Sequence, residues 1–123
     1  MTLTKLANTA VAALEDIKGR DIVSLDVRKL TSLFDKVVIA SADSGRQASA
    51  MARNLQEKVK AAGGRVYGVE GEQNGEWVLV DLGDIVVHIM QPAVRQHYNL
   101  EELWTPPKAT RKRATKAAST AAT

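Results

Sequence analysis

The chain contains no cysteine, which excludes disulfide bonds and cysteine-ligated zinc sites. It has no apolar run near the ~20 residues that a membrane-spanning helix requires, and its N-terminal residues lack the continuous apolar core of a secretion signal. Aromatic residues are scarce, with one Phe, two Trp and two Tyr among 123 residues. We therefore expect one small cytoplasmic domain, not bound to a membrane, in which each tryptophan has a packing or contact role.

Charge is distributed unevenly along the chain. Residues 1–104 contain 12 Lys and Arg against 14 Asp and Glu, a net charge of −2, whereas residues 105–123 contain five basic residues and no acidic one. The body of the protein thus has no overall attraction for nucleic acid. Residues 105–123 follow Pro106-Pro107 with Ala, Thr, Lys and Arg, and this composition predicts a disordered basic tail.

The spacing of apolar residues predicts the element order α-β-β-α-β-β-β-α. This order is typical of a mixed α/β fold, in which a single domain over residues 1–104 has a sheet of about five strands with flanking helices. The two strands on either side of the second helix should be parallel. We predict helices over residues 3–18, 46–62 and 92–103, and strands over residues 21–27, 36–41, 65–70 and both arms of a hairpin at 76–90.

The hairpin has one apolar face and one mixed face. Gly83-Asp84 is the natural two-residue turn, since glycine tolerates a positive φ at the first turn position. The resulting register pairs only apolar residues on the first face, which should therefore belong to the core. These pairs are Leu82 with Ile85, Val80 with Val87 and Val78 with Ile89. The second face, a plausible contact surface, pairs Asp81 with Val86, Leu79 with His88 and Trp77 with Met90.

Two groups of polar residues suggest chemistry but have structural explanations. Asp81, Asp84 and His88 could form an acid–base or metal cluster, although two turn carboxylates and a half-buried strand histidine are favoured. The loop Ser41–Arg46 could bind phosphate at a helix start, although a capping turn with Asp43 or Ser44 at the cap is favoured. Because no metal, phosphate-loop or dinucleotide motif is present, we predict no metal and no cofactor.

Several segments together resemble the ribosomal silencing factor family, also called the Iojap or RsfS family. The resemblance covers about residues 3–104 and leaves the tail outside. The segments are Val69-Glu-Gly71, Trp77-Val-Leu-Val-Asp-Leu-Gly-Asp-Ile-Val-Val-His-Ile-Met90 and Arg95-Gln-His-Tyr-Asn-Leu-Glu-Glu-Leu-Trp104, with Asp35, Val37–Ser41 and Ser44-Gly-Arg-Gln47 before them.

The resemblance implies a translation repressor that is not an enzyme. Its fold would be similar to that of nucleotidyltransferases, without the paired acids that such enzymes need for their metals. Its partner would be the large ribosomal subunit, through the fourteenth large-subunit ribosomal protein at the subunit interface. Binding there would block subunit joining and lower translation when nutrients are short.

Five residues are the predicted partner-binding set. Trp77 matches the family's exposed aromatic residue and would be the anchor, with Met90 packed beside it. Leu82 at the hairpin tip could reach the partner, although the register points it toward the core. Asp84 would complement a basic ribosomal surface. Arg95, three residues before Tyr98 on the last helix, would make a weaker contact or a local cation–π pair.

Other interpretations stay open at this point. A nucleotide-using enzyme would employ the Ser41–Arg46 loop with Asp81 and His88. An RNA-binding module would act through the basic tail, which could also add weak contact with ribosomal RNA to the silencing mechanism. A face carrying Trp77 and Met90 could also pair with a second copy of the chain, giving a homodimer. We expect Trp104 to anchor the last helix on the sheet.

Overall fold

The computed structural model describes residues 1–104, so the predicted tail at 105–123 lies outside the described residues. No helix within residues 1–104 is long and apolar enough to cross a bilayer. The helices are α1 (Leu3–Asp16), α2 (Gly45–Ala61), α3 (Pro92–Tyr98) and α4 (Leu100–Leu103), and the strands are β1 (Arg20–Asp26), β2 (Lys36–Ser41), β3 (Gly68–Glu70), β4 (Trp77–Asp81) and β5 (Ile85–Met90).

The five strands form one mixed sheet, as predicted, and their order in the sheet is β1-β2-β5-β4-β3. β2 and β5 are parallel, and the other neighbouring pairs are antiparallel. β3 therefore runs in the direction of β2, as predicted, but β5 and β4 separate the two strands. Every residue of β5 is buried, which suits a central strand, whereas the three-residue β3 is suited to an edge.

The hairpin has the predicted register. Trp77 pairs with Met90, Leu79 with His88 and Asp81 with Val86, and the amide of Leu82 donates to the carbonyl of Ile85 at 2.9 Å. Gly83 has a φ of +87° at the first turn position. The prediction succeeds because the alternation of side chains along each strand allows only this register to bury the whole apolar row.

The first core lies between the sheet and the pair α1 and α2. It contains Val38 and Ala40 of β2, the predicted apolar row of the hairpin, and the apolar stripes of both helices. Those stripes include Leu6, Ala10 and Leu14 of α1, and Met51, Leu55 and Val59 of α2. Thr2 caps α1 through a hydrogen bond from the amide of Lys5, at 3.1 Å.

A second core lies on the opposite face of the sheet, where α3 and α4 pack. It contains Val27, Val37, Ile39, Met90 and Leu100, with Phe34, Trp77 and Trp104 packed against it. The predicted single helix at 92–103 is interrupted at Asn99, which has a left-handed backbone with a φ of +48°. Asparagine adopts this conformation more readily than most residues, so the chain turns there and places α4 as a separate turn of helix.

Candidate protein-docking surface

A cleft of about 500 Å³ opens on the sheet face opposite α1 and α2, beside α4. Its walls come from β4, β5, the hairpin turn, the segment before β2, and α4 together with the residue after it. At its rim Leu33 is 80% exposed and Leu103 is 67% exposed, so two large apolar side chains lie open to solvent beside an apolar cleft. The lining residues are Leu33, Phe34, Leu79, Asp81, Gly83, Val86, His88, Leu100, Leu103 and Trp104.

Trp77 lies next to this cleft and is held from two sides. Its indole Nε1 donates a hydrogen bond to Nδ1 of His88 at 3.0 Å, and its ring packs against Tyr98 with a centroid distance of 4.8 Å. The residue stays partly exposed. A large aromatic ring that is fixed in one orientation loses little entropy on binding, which makes it a suitable anchor.

His88 is a buried histidine, with 8% of its surface exposed, rather than the half-buried residue predicted. Burial lowers its pKa to about 4, because a charged imidazolium loses its hydration there. The ring is consequently neutral at physiological pH, so one of its two nitrogens carries a proton and the other carries a lone pair.

Of the two hairpin aspartates, Asp81 supports the turn through its carboxylate, as the structural interpretation predicted, whereas Asp84 contributes through its main chain. A carboxylate oxygen of Asp81 accepts a hydrogen bond from the amide of Gly83 at 2.8 Å. The carbonyl of Asp84 accepts from the amides of Asp35 and Lys36, at 2.8 and 3.1 Å. The side chain of Asp84 is exposed. Within residues 1–104 no three or more His, Asp or Glu side chains are grouped so that they could hold a metal ion.

Three of the five predicted partner-binding residues are buried. Met90 is 0% exposed, Leu82 is 3% exposed and Arg95 is 9% exposed. Met90 belongs to the second core and Leu82 to the first, so the register, not the tip position, decides where Leu82 points. None of the three has enough free surface for direct contact with a partner, whereas Trp77 and Asp84 do.

Arg95 joins three elements of the fold. Its Nη1 donates to Oγ of Ser41 at the end of β2, at 2.8 Å. Its Nε and Nη2 donate to the two carboxylate oxygens of Glu101 in α4, at 3.3 and 2.9 Å. Within residues 1–104, the Tyr98 ring packs against Trp77 and His97 and makes no cation–π contact with Arg95, which had been considered as its partner.

The Ser41–Arg46 loop is a capping turn, as the structural interpretation predicted. Oγ of Ser44 accepts a hydrogen bond from the amide of Gln47 at 3.1 Å and caps α2. The carboxylate of Asp43 is paired with Arg20, and its amide donates to the side chain of Gln47 at 2.7 Å. Arg46 is exposed, and the arginine that contacts Ser41 is Arg95.

Sequence reasoning predicted the strand wall of the cleft as a contact surface but missed the wall opposite it. Leu33 and Phe34 fall between the strands predicted at 21–27 and 36–41, where no element was predicted, and Leu103 falls at the end of the last predicted helix. Leu33 and Phe34 could have been noticed in the sequence, because a solvated connection does not need two large apolar residues in succession. Trp104 packs edge-on against Phe34 with a centroid distance of 5.5 Å, so it does anchor the end of α4, as predicted.

Comparisons with known proteins agree on one family. A family model described as "Ribosomal silencing factor during starvation" matches residues 1–123. The ribosomal silencing factor of Chromobacterium violaceum is 53% identical over 104 residues, 85% of each chain. The mouse protein named "Mitochondrial assembly of ribosomal large subunit protein 1" is 34% identical over 98 residues, 77% of this chain and 43% of that one.

A solved structure gives the same result. The crystal structure of a Chromobacterium violaceum protein is similar to this chain with a TM-score of 0.83 and 51% identity, covering 86% of this chain and 91% of the other. Identity at this level supports a shared family as well as a shared fold. The resemblance seen in the sequence is confirmed, and the chain belongs to the ribosomal silencing factor family.

Proposed function

We propose that this protein binds the large ribosomal subunit in the cytoplasm through the cleft and Trp77, and that its bound body prevents the small subunit from joining. Membership of the family supports a role in repressing translation. The name of the mouse relative, which refers to the large subunit, supports the choice of subunit. The observation that carries the proposal is a partly exposed, fixed tryptophan beside an apolar cleft with exposed leucines at its rim.

The proposed partner on the subunit is its fourteenth ribosomal protein. Trp77 would be the central anchor, and the exposed leucines at the rim would exclude water around it. Asp81 lines the cleft and Asp84 lies exposed at the hairpin tip, so the docking face carries negative charge that suits a basic ribosomal protein. Leu82, Met90 and Arg95 would support this face from beneath without touching the partner.

The proposed mechanism is steric and needs no catalysis. The described domain is held by two cores on a single sheet, so it would act as one rigid obstacle once the cleft is occupied. Use of nucleotides has less support, because Ser41, Asp43 and Ser44 are already engaged in hydrogen bonds within the protein. A thermal-shift assay with nucleotides and Mg²⁺ tests that alternative, since a ligand of the native state raises the midpoint.

Replacement of Trp77 tests the proposal directly. We expect Trp77→Ala to weaken binding to purified large subunits by at least about tenfold, because a central aromatic anchor contributes ~2 kcal/mol or more. The measurement is co-sedimentation in a sucrose gradient, with circular dichroism to confirm that the variant folds. A folded Trp77→Ala protein that sediments with large subunits as the unaltered protein does would contradict the docking surface.

A matched pair of charge reversals tests orientation. Asp84→Lys changes the proposed docking face, and Glu57→Lys makes the same change at an exposed position of α2, across the sheet. We expect the first variant to slow association with large subunits severalfold at low salt and the second to leave the rate nearly unchanged. Equal effects would mean that overall charge, and not this face, governs binding.

The tail and self-association are separate questions within the proposal. Deletion of residues 105–123 should leave most of the binding to large subunits intact, because the proposed contacts all lie in residues 1–104. Complete loss would favour an RNA-binding module that acts through the tail. Sedimentation equilibrium with the unaltered protein and Trp77→Ala tests whether the same face also forms a homodimer.

A further inference from the structure

One nitrogen of His88 is a hydrogen-bond donor without an acceptor in the described chain. Nδ1 accepts from the indole of Trp77, and an indole N–H only donates, so Nδ1 carries the lone pair. The single proton of the neutral ring must then be on Nε2. No described residue accepts from this N–H, although the residue is more than nine-tenths buried.

A buried donor without an acceptor is costly and calls for a partner. His88 lines the cleft, together with the apolar side chains of Leu79 and Val86 on the same sheet face. Within the cleft, the ring is thus a neutral polar group among apolar ones, an arrangement typical of binding sites in which a few polar groups set the orientation of the ligand.

The charge of the cleft restricts what can accept this hydrogen bond. Asp81 lines the same cleft, so an anionic acceptor would face a carboxylate as well as lose its hydration. A neutral oxygen, such as a main-chain carbonyl, meets neither penalty. The volume of about 500 Å³ is in the range of sites that hold a ligand larger than one side chain, which suits a peptide segment.

We propose that Nε2 of His88 donates a hydrogen bond to a main-chain carbonyl of a ribosomal-protein segment whose apolar side chains fill the cleft. This inference rests on the proposed function and adds a recognition contact to it. The same imidazole then has two tasks. Through Nδ1 it holds the Trp77 anchor in place, and through Nε2 it orients the segment that lies beside that anchor.

Two variants of His88 separate these tasks. In His88→Asn the amide oxygen can take the place of Nδ1 as acceptor for Trp77, but no atom replaces Nε2. His88→Leu removes both hydrogen bonds. We expect His88→Asn to raise the dissociation constant for large subunits about tenfold, as the loss of one buried hydrogen bond predicts, and to keep the indole N–H of Trp77 protected from exchange with solvent.

We expect His88→Leu to weaken binding further and to speed the exchange of that N–H with solvent. His97→Asn, at the exposed second histidine, is the matched control and should bind within twofold of the unaltered protein. Binding of His88→Asn within twofold of the unaltered protein would overturn the inference and leave the proposed function standing. Absence of binding by the unaltered protein would overturn both.

A cryo-electron microscopy map of the unaltered protein on the large subunit decides the case if His88→Asn does not fold. A main-chain carbonyl oxygen within about 3.2 Å of Nε2 would confirm the contact. A water molecule, an apolar group or a segment of a second copy of this chain in that place would overturn it.

Discussion

Replacement of Arg95 by methionine separates a structural from a contact role. Arg95 is 9% exposed and its Nη1 donates to Ser41, which is 3% exposed. Loss of that donor leaves a buried hydroxyl with a poorer partner, at a cost of about 1–3 kcal/mol. The ion pair with Glu101 adds less, about 0–1 kcal/mol, because the Glu101 side chain is 35% exposed and regains water.

These contributions sum to a loss of about 1–4 kcal/mol in the free energy of unfolding, or roughly 5–20 °C in Tm for a domain of this size. Methionine keeps much of the apolar stem, so the second core should stay packed. Urea unfolding followed by circular dichroism measures the change. Arg95→Met with Ser41→Ala should be more stable than Arg95→Met alone, because the buried hydroxyl is gone.

The reasoning would be refuted if Arg95→Met kept the stability of the unaltered protein and yet failed to bind large subunits. Arg95 would then be a contact residue, as the sequence alone suggested, and the described packing of α3 and α4 would have to change on binding.

Three further predictions concern the fold. Gly71→Ala should destabilise the protein by about 3 kcal/mol or more and shift the Trp77 indole resonance, because Gly71 has a φ of +86° and an added Cβ would overlap the Trp77 carbonyl oxygen. Ser44→Ala should lower stability by about 1 kcal/mol in urea unfolding, since it removes the cap of α2. When the pH is lowered from 6.5 to 4, the free energy of unfolding, measured by urea titration, should fall by about 3 kcal/mol more in the unaltered protein than in His88→Asn. In the unfolded state this histidine binds a proton at about pH 6.5, whereas burial lowers its pKa to about 4 in the folded state. Protonation below pH 6.5 therefore favours the unfolded state, so the contribution of this histidine to stability is complete above pH 6.5 and decreases toward pH 4. An equal loss in both proteins would refute the role of burial.

The hairpin was predictable because local periodicity is sufficient to define it. Alternating side chains and one turn signal specify which residues oppose each other and which row is buried. The cap at Ser44 and the stripe of α2 follow from equally local patterns. These elements needed no knowledge of what lies across the sheet.

The second core was not predictable in the same way, because it depends on contacts between distant segments. Met90 looked like a surface residue when the hairpin was considered alone, but β2 and α4 cover it in the fold. Arg95 looked like a surface cation until Ser41 and Glu101 came within reach. Only Trp77 and Asp84 of the predicted set keep free surface, and for Trp77 this surface is partial because Tyr98 of α3 packs on its ring.

The hairpin places its stabilising side chains and its proposed docking side chains on alternate residues of the same two strands. A change at Leu79 or Val86 can therefore alter partner preference while Val80 and Val87 continue to secure the domain. A deletion of one residue within β4 would instead exchange the two rows beyond that point. Such a deletion would remove both the stability of the fold and the proposed docking surface, so the length of this hairpin should vary less among related proteins than its side chains do.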